Sequence, residues 1–588
     1  MPHARRTTQR HAPSGTAQEA YVITAGLKFT QSGGIALIDG DRLEFNIEMQ
    51  KLDNNSRYSN FDDLQLVPRI LADHGYQVSD VDHWVVDGWD GARNGHIKVQ
   101  TIAGAVDLTV APYRETPAVP DPGRPAHRGE LNIDGTVRPF TSFVHVASHL
   151  SVAYSTSPFA VRQEPSMVLV WDGGCFPRLY CVDGRGRIEP GGEVFPLIGH
   201  TYSMASQHWG PYARRDKSRN VDDLSVAGKL MAYIAYGKPS DAVKGVLAER
   251  FHEHFEADTD RVRKYRAAII GCGSNGEPSH GYVHAFLDDV AADVARLGVS
   301  DDDVLATVHE FLEELLMHRV TAKIRAWKGD EPWNLCFAGG CALNIKWNSA
   351  LRGHPMIKAM WVPPFPDDSG SAIGTACAHL GVTGGLRAID WHVRSGPRLQ
   401  PTPQIPAGWS AAPCTPAELG RLLHTTGEPV VVLNGRAELG PRALGGRSIL
   451  AAPVEAAMKD RLNEIKRREP FRPVAPICLE EHAPEVFSPG TPDPYMLFEH
   501  DVRPAWVERI PAVLHLDGTA RLQTVSPAQD PDLTEILRAY HEASGVPVLC
   551  NTSANFNGSG FFPDAATAIG WDKVDLVWEE GTLYRRAT

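Results

Sequence analysis

Two histidines four residues apart are the first candidates for chemistry in this sequence. The segment SFVHVASHLSVAYS contains His145 and His149, and on a helix this spacing places both imidazoles on one face, where a single metal ion can bridge them. A third ligand must come from elsewhere, and PPFPDDSGSAIGTA offers Asp368 where a strand runs into a glycine-containing turn. The alternative is that the histidines are ordinary helix residues and the acidic pair is solvated, as in most isolated matches to this motif.

Basic residues are concentrated in one C-terminal region of an otherwise acidic chain. They lie in LGPRALGGRSIL and NEIKRREPFRPVAP and are Arg442, Arg447, Lys466, Arg467, Arg468 and Arg472. Cations that converge on one pocket can neutralise a polyphosphate and the charge that develops during its displacement. The alternative is a solvated basic face, which is the usual reading of a charge run. The flanking glycines and prolines stiffen these loops and favour the pocket.

Glycine pairs after predicted strands let backbone amides approach phosphate oxygens, because no Cβ stands in the way. One pair is Gly339 and Gly340, and in AGKLMAYIAYG the residues Gly228 and Lys229 begin a helical stretch whose N-terminal amides favour an anion. These features predict a nucleotide cleft between two halves of a domain. The alternative is that the glycines only mark tight turns in a large α/β sheet.

Smaller polar groups follow near the C-terminus. HLDGTARLQTV contributes Arg521, and LCNTSANFNG offers Thr552, Ser553 and Asn555 at a strand end. Such hydroxyl and amide groups can bind an anion, but by themselves they are turn formers.

The elements that must position these residues follow a repeated pattern. YVITAGLKFTQSGGIALIDGDRLEFNIE predicts two strands and a hairpin turn, and MVLVWDGGCFPRLYCVDGRGRIEP repeats this unit from Met167. A helical pattern spans 303–327, so we predict an α/β architecture with duplicated halves. The stretch 393–416, rich in Pro, Ser and Ala, predicts an inter-domain connection. A second α/β domain follows, with strands predicted at 430–433 and 546–549.

Length and composition limit the classes of protein to which this chain can belong. At 588 residues the chain exceeds what one core usually supports, and its net charge of -13 disfavours a nucleic-acid partner. No apolar run is long enough to span a bilayer. Nine cysteines without a CxxC pair favour a reducing, cytoplasmic setting. We expect residues 1–17 to be a flexible leader, and a homodimer is left open.

Taken together, AGGCALN, PPFPDDSGSAIGTA, AGKLMAYIAYG, LGPRALGGRSIL, KRREPFRPVAP, DGTARLQTV and NTSAN resemble the NodU/CmcH family of carbamoyltransferases. The resemblance runs from about residue 20 to the end. It implies an ASKHA-type, TsaD-like domain over 18–392 and a YrdC-like domain over 393–588. It also implies an O-carbamoyltransferase that uses carbamoyl phosphate and ATP with Mg²⁺ and acts on a small-molecule hydroxyl, such as that of an antibiotic sugar or macrocycle.

The resemblance also assigns residues. In the YrdC-like domain, carbamoyl-adenylate formation falls on Lys466, Arg472, Arg521 and Ser553. Cofactor binding is expected at Gly228, Lys229, Gly339, Gly340, Asn344, Arg442, Arg447, Thr552 and Asn555. The metal ligands fall on His145, His149 and Asp368, with Fe²⁺ or another divalent metal as the ion.

The sequence departs from the family pattern near the N-terminus. Where relatives have a histidine, LKFTQSGGIALIDG places Thr30, which cannot act as a base at neutral pH. His200 and His208 are candidate replacements. The usual KHD-containing stretch is replaced by MQKLDNNSRYSNFDD, which we expect to face the acceptor. Two competing classes remain, a tRNA threonylcarbamoylation-type enzyme and a non-catalytic nucleotide-binding protein on an ASKHA scaffold.

Overall fold

The computed structural model describes residues 22–52, 54–91, 94–214, 224–272, 277–402 and 404–587. The expected leader at 1–17 lies outside these residues.

The first sheet is built from the N-terminal strands. The first eight strands are β1 (Ile23–Lys28), β2 (Gly34–Asp39), β3 (Arg42–Glu48), β4 (His83–Asp87), β5 (Gly95–Thr101), β6 (Gly104–Val110), β7 (His127–Ile133) and β8 (Thr136–Phe143). Six of them form a sheet in the order β3-β2-β1-β4-β8-β7, and β5 and β6 form a separate hairpin. The pairs β1–β2 and β2–β3 are antiparallel, whereas β1–β4 and β4–β8 are parallel.

The second sheet repeats this arrangement. Its strands are β9 (Ser166–Val170), β10 (Arg178–Val182), β11 (Ile188–Glu193), β12 (Trp333–Ala338) and β13 (Ile357–Trp361). Their order is β11-β10-β9-β12-β13, again with two antiparallel pairs followed by two parallel pairs. The predicted duplication is therefore present at the level of topology.

The C-terminal part is built on one mixed sheet. Its strands are β14 (Trp409–Pro413), β15 (Val430–Leu433), β16 (Arg447–Ala451), β17 (Ala475–Leu479), β18 (Phe487–Ser488), β19 (His500–Val502), β20 (Thr519–Ala520), β21 (Gln523–Val525), β22 (Val548–Ser553), β23 (Leu576–Glu579) and β24 (Thr582–Arg586). Eight of them form a sheet in the order β14-β24-β23-β15-β16-β22-β17-β21, and β18, β19 and β20 form a small one.

Sixteen α-helices in the described residues cover these sheets. They are α1 (Leu66–Asp73), α2 (His145–Ser155), α3 (Pro158–Val161), α4 (Thr201–Ala205), α5 (Val226–Tyr233), α6 (Asp241–Phe251), α7 (Asp260–Cys272), α8 (Glu277–Val294), α9 (Asp301–Lys328), α10 (Ile345–Gly353), α11 (Ser371–Gly381), α12 (Pro416–Thr426), α13 (Ala457–Ile465), α14 (Ala483–Val486), α15 (Pro531–Ser544) and α16 (Ala565–Gly570). Within the same residues, none of these helices combines the length and apolar character that a membrane crossing requires.

Two helices rich in small residues lie between the first two sheets. α2 packs on β9 and β12 of the second sheet, α11 packs on β1, β2 and β4 of the first, and the two helices pack against each other. Every residue of α2 is buried. A Cβ on Gly374 of α11 would overlap the carbonyl oxygen of Ser148 in α2. The close approach of the two helices therefore depends on glycine at this position.

Most elements predicted from the sequence are confirmed. Both strand-turn-strand units are present, and the helix predicted at 303–327 is α9. The strand predicted at 430–433 is β15, and the one predicted at 546–549 is β22, which begins later, at Val548.

The stretch 393–416, predicted to be an inter-domain connection, holds a strand that was not predicted. It contains β14, which pairs with β24 at the edge of the C-terminal sheet. The partner strand lies at the far end of the chain, so no local pattern reveals the pairing.

Replacing Gly374 by Ala should destabilise the protein by about 1–3 kcal/mol, because a methyl group forced between packed helices requires backbone shifts. Urea unfolding would measure the change. Gly353→Ala is the matched control, since a Cβ at that helical glycine meets nothing within 4 Å. Equal midpoints for the two variants would contradict the importance of this contact.

Candidate active site

Four buried side chains converge between the two N-terminal sheets. Ligand atoms of His145, His149, Asp172 and Asp368 all lie within 4.8 Å of one another. The two imidazole Nε2 atoms are 3.2 Å apart, and Asp368 Oδ1 lies 3.2 Å from His145 Nε2 and 3.5 Å from His149 Nε2. Asp172 Oδ2 lies 3.8 Å and 4.0 Å from the same two nitrogen atoms. We call these four residues the metal cluster.

The fold places each member of the cluster at the end of an element. His145 begins α2 directly after β8, and His149 lies one turn later on the same helix. Asp172 follows β9, and Asp368 lies in a short turn before α11. The packing of α2 against α11 therefore brings the histidines to Asp368.

Neighbouring groups fix the orientation and charge of the cluster. Asp87 Oδ2 lies 2.6 Å from His145 Nδ1, which leaves the Nε2 atom of His145 facing the cluster. Lys28 Nζ lies 3.1 Å from Asp87 Oδ2 and 3.2 Å from Asp368 Oδ2. Burial opposes the charged form of Lys28, but Asp368 and Asp87 outweigh it and raise the pKa of the ammonium.

The donor set fits a divalent metal ion. Two imidazoles and two carboxylates are ligands that several divalent ions accept. Buried carboxylates that face each other without a cation would carry a large desolvation cost. Asp87 holds His145 as an outer carboxylate commonly holds a metal-bound histidine. The residues would thus hold one ion among His145, His149, Asp172 and Asp368.

Sequence reasoning named three of these four residues and missed Asp172. Its signal is present in the sequence, because Asp172 stands at a strand end directly before Gly173 and Gly174. Asp87 stands similarly at the end of β4. An Asp-Gly pair after a strand also marks an ordinary turn, so this pattern alone does not single out either carboxylate.

The glycine pair predicted at a nucleotide site lies beside the metal cluster. The Gly340 amide donates to Asp172 Oδ1 at 2.7 Å, and Gly339 has a φ of 93°. Asn344 Oδ1 accepts hydrogen bonds from the Lys346 and Trp347 amides and so caps α10. The expected contact of these residues with nucleotide stays a prediction.

The candidate replacements for the family histidine lie in different surroundings. Thr30 lies in the loop between β1 and β2. The His200 ring packs against Gly173, next to Asp172, and burial together with His280 lowers the pKa of His200 to about 4. His208 Nε2 lies 3.2 Å from His284 Nδ1. Of the two histidines, His200 is therefore the one beside the metal cluster.

A second centre is a pocket between α5, α10 and the C-terminal sheet. Its wall contains five arginines, which are Arg57, Arg442, Arg468, Arg472 and Arg521. Thr552 and Ser553 lie in the same wall. We call this cavity the arginine pocket. It brings together six of the residues named near the C-terminus, and it adds Arg57 from the N-terminal part, which sequence reasoning missed.

The electrostatics of the arginine pocket favour an anion. Burial and neighbouring guanidinium groups lower the pKa of Arg442 to about 10 and that of Arg468 to about 9. Buried N–H groups of Arg442, Arg468 and Arg521 have no hydrogen-bond partner among the described residues. Phosphate oxygens would satisfy these donors and offset the like charges.

Three predicted residues lie beside the pocket wall and not in it. Lys466 Nζ donates to the carbonyl oxygens of Ser553, at 2.8 Å, and Asn555, at 2.5 Å. Asn555 Nδ2 donates to the Ser559 carbonyl oxygen at 2.7 Å. Arg447 is buried and donates to the carbonyl oxygens of Asn434, Gly435 and Gly446. In this arrangement these side chains support the loops that carry Ser553 and Arg442.

Helix α5 covers one side of the arginine pocket. Gly228, its third residue, lines the cavity, and a Cβ there would meet no atom of the described residues within 4 Å. Lys229 Nζ points to Glu469, with Oε1 at 3.6 Å. The predicted pair thus lies at the pocket, with the glycine in its wall and the lysine bound to a neighbouring carboxylate.

A buried ion pair joins the N-terminal part to the loop that carries Arg442. Lys51 Nζ donates to Glu48 Oε1 at 2.7 Å and to the carbonyl oxygens of Glu438 and Gly440 at 2.5 Å and 2.6 Å. Gly440 also donates its amide to Glu48 Oε1 at 2.8 Å. Since Gly440 precedes Arg442 by two residues, the end of β3 fixes the loop that carries Arg442.

Replacing His149 or Asp172 by Ala should lower the metal content of the purified protein by about tenfold or more, because each removes one of four ligands. Elemental analysis after metal titration would measure it. His318→Ala, on the exposed face of α9, should retain full metal. Undiminished metal content in His149→Ala would show that the metal cluster does not bind metal. Undiminished metal content in Asp172→Ala would show that Asp172 is not a ligand.

Comparison with known proteins identifies the family. The family model for the carbamoyltransferase N-terminus matches residues 24–118 and 129–377, and the model for the carbamoyltransferase C-terminus matches 422–585. Nodulation protein U of Rhizobium tropici is 50% identical over 95% of this chain and 96% of its own. The 3'-hydroxymethylcephem-O-carbamoyltransferase of Amycolatopsis lactamdurans is 33% identical over 92% of this chain and 94% of its own.

Among solved structures, a ROK family glucokinase from Streptomyces griseus, in complex with glucose and AMPPNP, matches 60% of this chain and 98% of its own at 12% identity. Its TM-score of 0.25 is too low to support an inference. The two family models and the near-complete coverage of the sequence relatives are decisive. This chain belongs to the carbamoyltransferase family and is a transferase.

Proposed function

We propose that this protein is an ATP-dependent O-carbamoyltransferase that takes its carbamoyl group from carbamoyl phosphate and transfers it to a hydroxyl of a small molecule. The observation that carries the proposal is the arginine pocket, where five guanidinium groups and two hydroxyl side chains face one cavity. The relatives named 3'-hydroxymethylcephem-O-carbamoyltransferase, at 31% and 33% identity, support a hydroxyl acceptor. A sugar or macrocycle hydroxyl of a natural product is the proposed class.

The proposed architecture assigns the two centres to two domains. The repeated sheet order supports an ASKHA-type domain over 18–392, and the mixed sheet that carries the arginine loops would be the YrdC-like domain over 393–588. Activation would take place in the second domain and transfer in the first.

Activation requires charge stabilisation on two phosphate groups. If pyrophosphate leaves ATP, an oxygen nucleophile must attack the α-phosphorus, so carbamoyl phosphate must first lose phosphate to water and yield carbamate. Carbamate then forms carbamoyl-adenylate and releases pyrophosphate. Arg442, Arg472 and Arg521 would bind the phosphate oxygens as their negative charge develops. Lys466 would hold the Ser553 loop in place, and Mg²⁺ would accompany ATP.

Transfer is proposed at the metal cluster. The acceptor hydroxyl attacks the carbamoyl carbon, the C–O bond to AMP breaks, and the hydroxyl proton leaves to a base or to solvent. His145, His149, Asp172 and Asp368 would hold the ion, with iron as the proposed metal. When bound, a divalent ion supplies Lewis-acid polarisation of an oxygen ligand. Lys28 and Asp87 keep the protein ligands oriented and their charge balanced.

The mixed anhydride must be kept from water on its way between the centres. The contact of Lys51 with Glu48, Glu438 and Gly440 is buried and holds the N-terminal part against the loop before Arg442. Exclusion of water there would suppress hydrolysis of the intermediate.

The overall proposal is tested by mass spectrometry. Purified protein is incubated with carbamoyl phosphate, ATP, Mg²⁺ and candidate hydroxyl acceptors, and the products are searched for the mass of one added carbamoyl group. A product that requires both carbamoyl phosphate and ATP is expected. Carbamoylated product formed without ATP would overturn the adenylate route.

Variants should separate the two half-reactions. Arg472→Ala and Arg521→Ala should slow carbamoyl phosphate-dependent pyrophosphate release by about 10²-fold, the usual cost of one preorganised donor. His149→Ala and Asp368→Ala should retain pyrophosphate release and lose carbamoylated product. Pyrophosphate and product mass are measured side by side.

The control for these arginine variants is Arg461→Ala. Arg461 lies on the exposed side of α13 and pairs with Glu428. Arg461→Ala should release pyrophosphate and form carbamoylated product as the unmodified protein does. If the metal-cluster variants lose pyrophosphate release as fully as Arg472→Ala, activation and transfer share one site.

A further inference from the structure

The arginine pocket is not built by the C-terminal part alone. Arg57 lies between β3 and α1, far from the C-terminal sheet in sequence, yet it lines the same cavity as Arg442, Arg468 and Arg472. It is exposed, so it stands at the mouth of the pocket and not in its floor. Its position there depends on contacts between its own segment and a C-terminal loop.

A pair of backbone hydrogen bonds holds the segment that carries Arg57. The Arg57 amide donates to the Gly558 carbonyl oxygen at 2.8 Å, and the Gly560 amide donates to the Asn55 carbonyl oxygen at 2.8 Å. Between them, Ser56 and Ser559 form an isolated antiparallel bridge. We call residues 54–58 the strap. The strap is a short segment of the N-terminal part that pairs through one β-bridge with a C-terminal loop.

The loop that receives the strap is part of the pocket's support. It directly follows Ser553, and Asn555 Nδ2 ties it back by donating to the Ser559 carbonyl oxygen. Asn557 Nδ2 donates to the Arg467 carbonyl oxygen at 3.3 Å. The strap is therefore fixed to the loop after Ser553, and that loop is in turn bound to the loop that carries Arg468 and Arg472.

The approach of the two parts is close enough to require glycine. A Cβ on Gly560 would overlap the backbone carbonyl of Gln50, just after β3. A backbone carbonyl cannot move aside as the end of a flexible side chain can. Gly560 thus sets the distance at which the strap meets the loop.

We propose that Arg57 is an anion-binding residue of the arginine pocket, delivered by the strap, so that the phosphate site is complete only when the N-terminal part is docked on the C-terminal part. Its ligand would be a phosphate or pyrophosphate group. The identification of that group with carbamoyl phosphate or ATP rests on the proposed function. The charge of Arg57 reaches two buried arginines of the pocket. It is the largest cause after burial that lowers the pKa of Arg442, and it lowers the pKa of Arg468 after burial and Arg472.

The test measures binding and turnover separately in the full-length chain. Inorganic pyrophosphate is titrated by calorimetry into the unmodified protein, Arg57→Ala and Arg57→Lys. Loss of one charge-assisted contact should raise Kd about tenfold in Arg57→Ala, with partial recovery in Arg57→Lys. Gly560→Ala should give a similar rise, because the strap can no longer seat.

Two controls match these variants. Arg42→Ala removes an exposed arginine of β3 that pairs with Glu44, and Gly570→Ala adds a Cβ in open space at the end of α16. Both should bind pyrophosphate as the unmodified protein does. If Arg57→Ala binds like Arg42→Ala, or if the unmodified protein binds no pyrophosphate, the inference is overturned.

A second readout keeps the inference apart from the proposed function. Carbamoyl phosphate-dependent pyrophosphate release from ATP is followed in the same variants. Weakened pyrophosphate binding in Arg57→Ala, with no such release even in the unmodified protein, would support the role of Arg57 and overturn the adenylate route.

Discussion

The charge balance of the buried metal cluster is the constraint on which the rest of the N-terminal part depends. Asp172 and Asp368 face two imidazoles away from water, and uncompensated charge in such a place is costly. Lys28 offsets part of it through Asp368 and Asp87. The remaining carboxylate charge is best met by a cation held between the sheets. This requires α2 and α11 to lie close together, which is why small residues fill both helices.

The arginine pocket has an excess of positive charge, whereas the metal cluster has an excess of negative charge. Guanidinium groups are crowded there, several of their buried N–H groups lack partners in the described part of the chain, and burial lowers the pKa of Arg442 and Arg468. In the ligand-free protein, these like charges and unpaired donors are energetically unfavourable, and a bound polyanion would stabilise them. A phosphate-bearing ligand is therefore drawn to the arginines, whereas the carboxylates of the metal cluster favour a cation. Opposite charge requirements in turn favour two separate steps over one shared site.

Structural features that depend on a short stretch of chain could be predicted from local sequence patterns. The His145 and His149 spacing, the strand-turn-strand units and the clustered C-terminal arginines are all visible within a few residues of sequence. Asp172 and Arg57 are not, because each acquires its neighbours only through pairing between distant segments. Asp172 meets the histidines through the packing of β9 against α2, and Arg57 meets Arg442 through the strap. The strand β14 was missed for the same reason, since its partner lies at the end of the chain.

Contact between the two parts is polar and specific at the points that matter for chemistry. Lys51 is buried with Glu48 and two carbonyl oxygens of the loop before Arg442, and removal of one partner from such a group leaves an uncompensated charge. Asp367 contributes electrostatically to Arg442, and its neighbour Asp368 is a member of the metal cluster. Adjacent residues of one turn therefore interact with both centres. Because that turn cannot shift at one centre without moving at the other, the geometry of the arginine pocket and that of the metal cluster are set together.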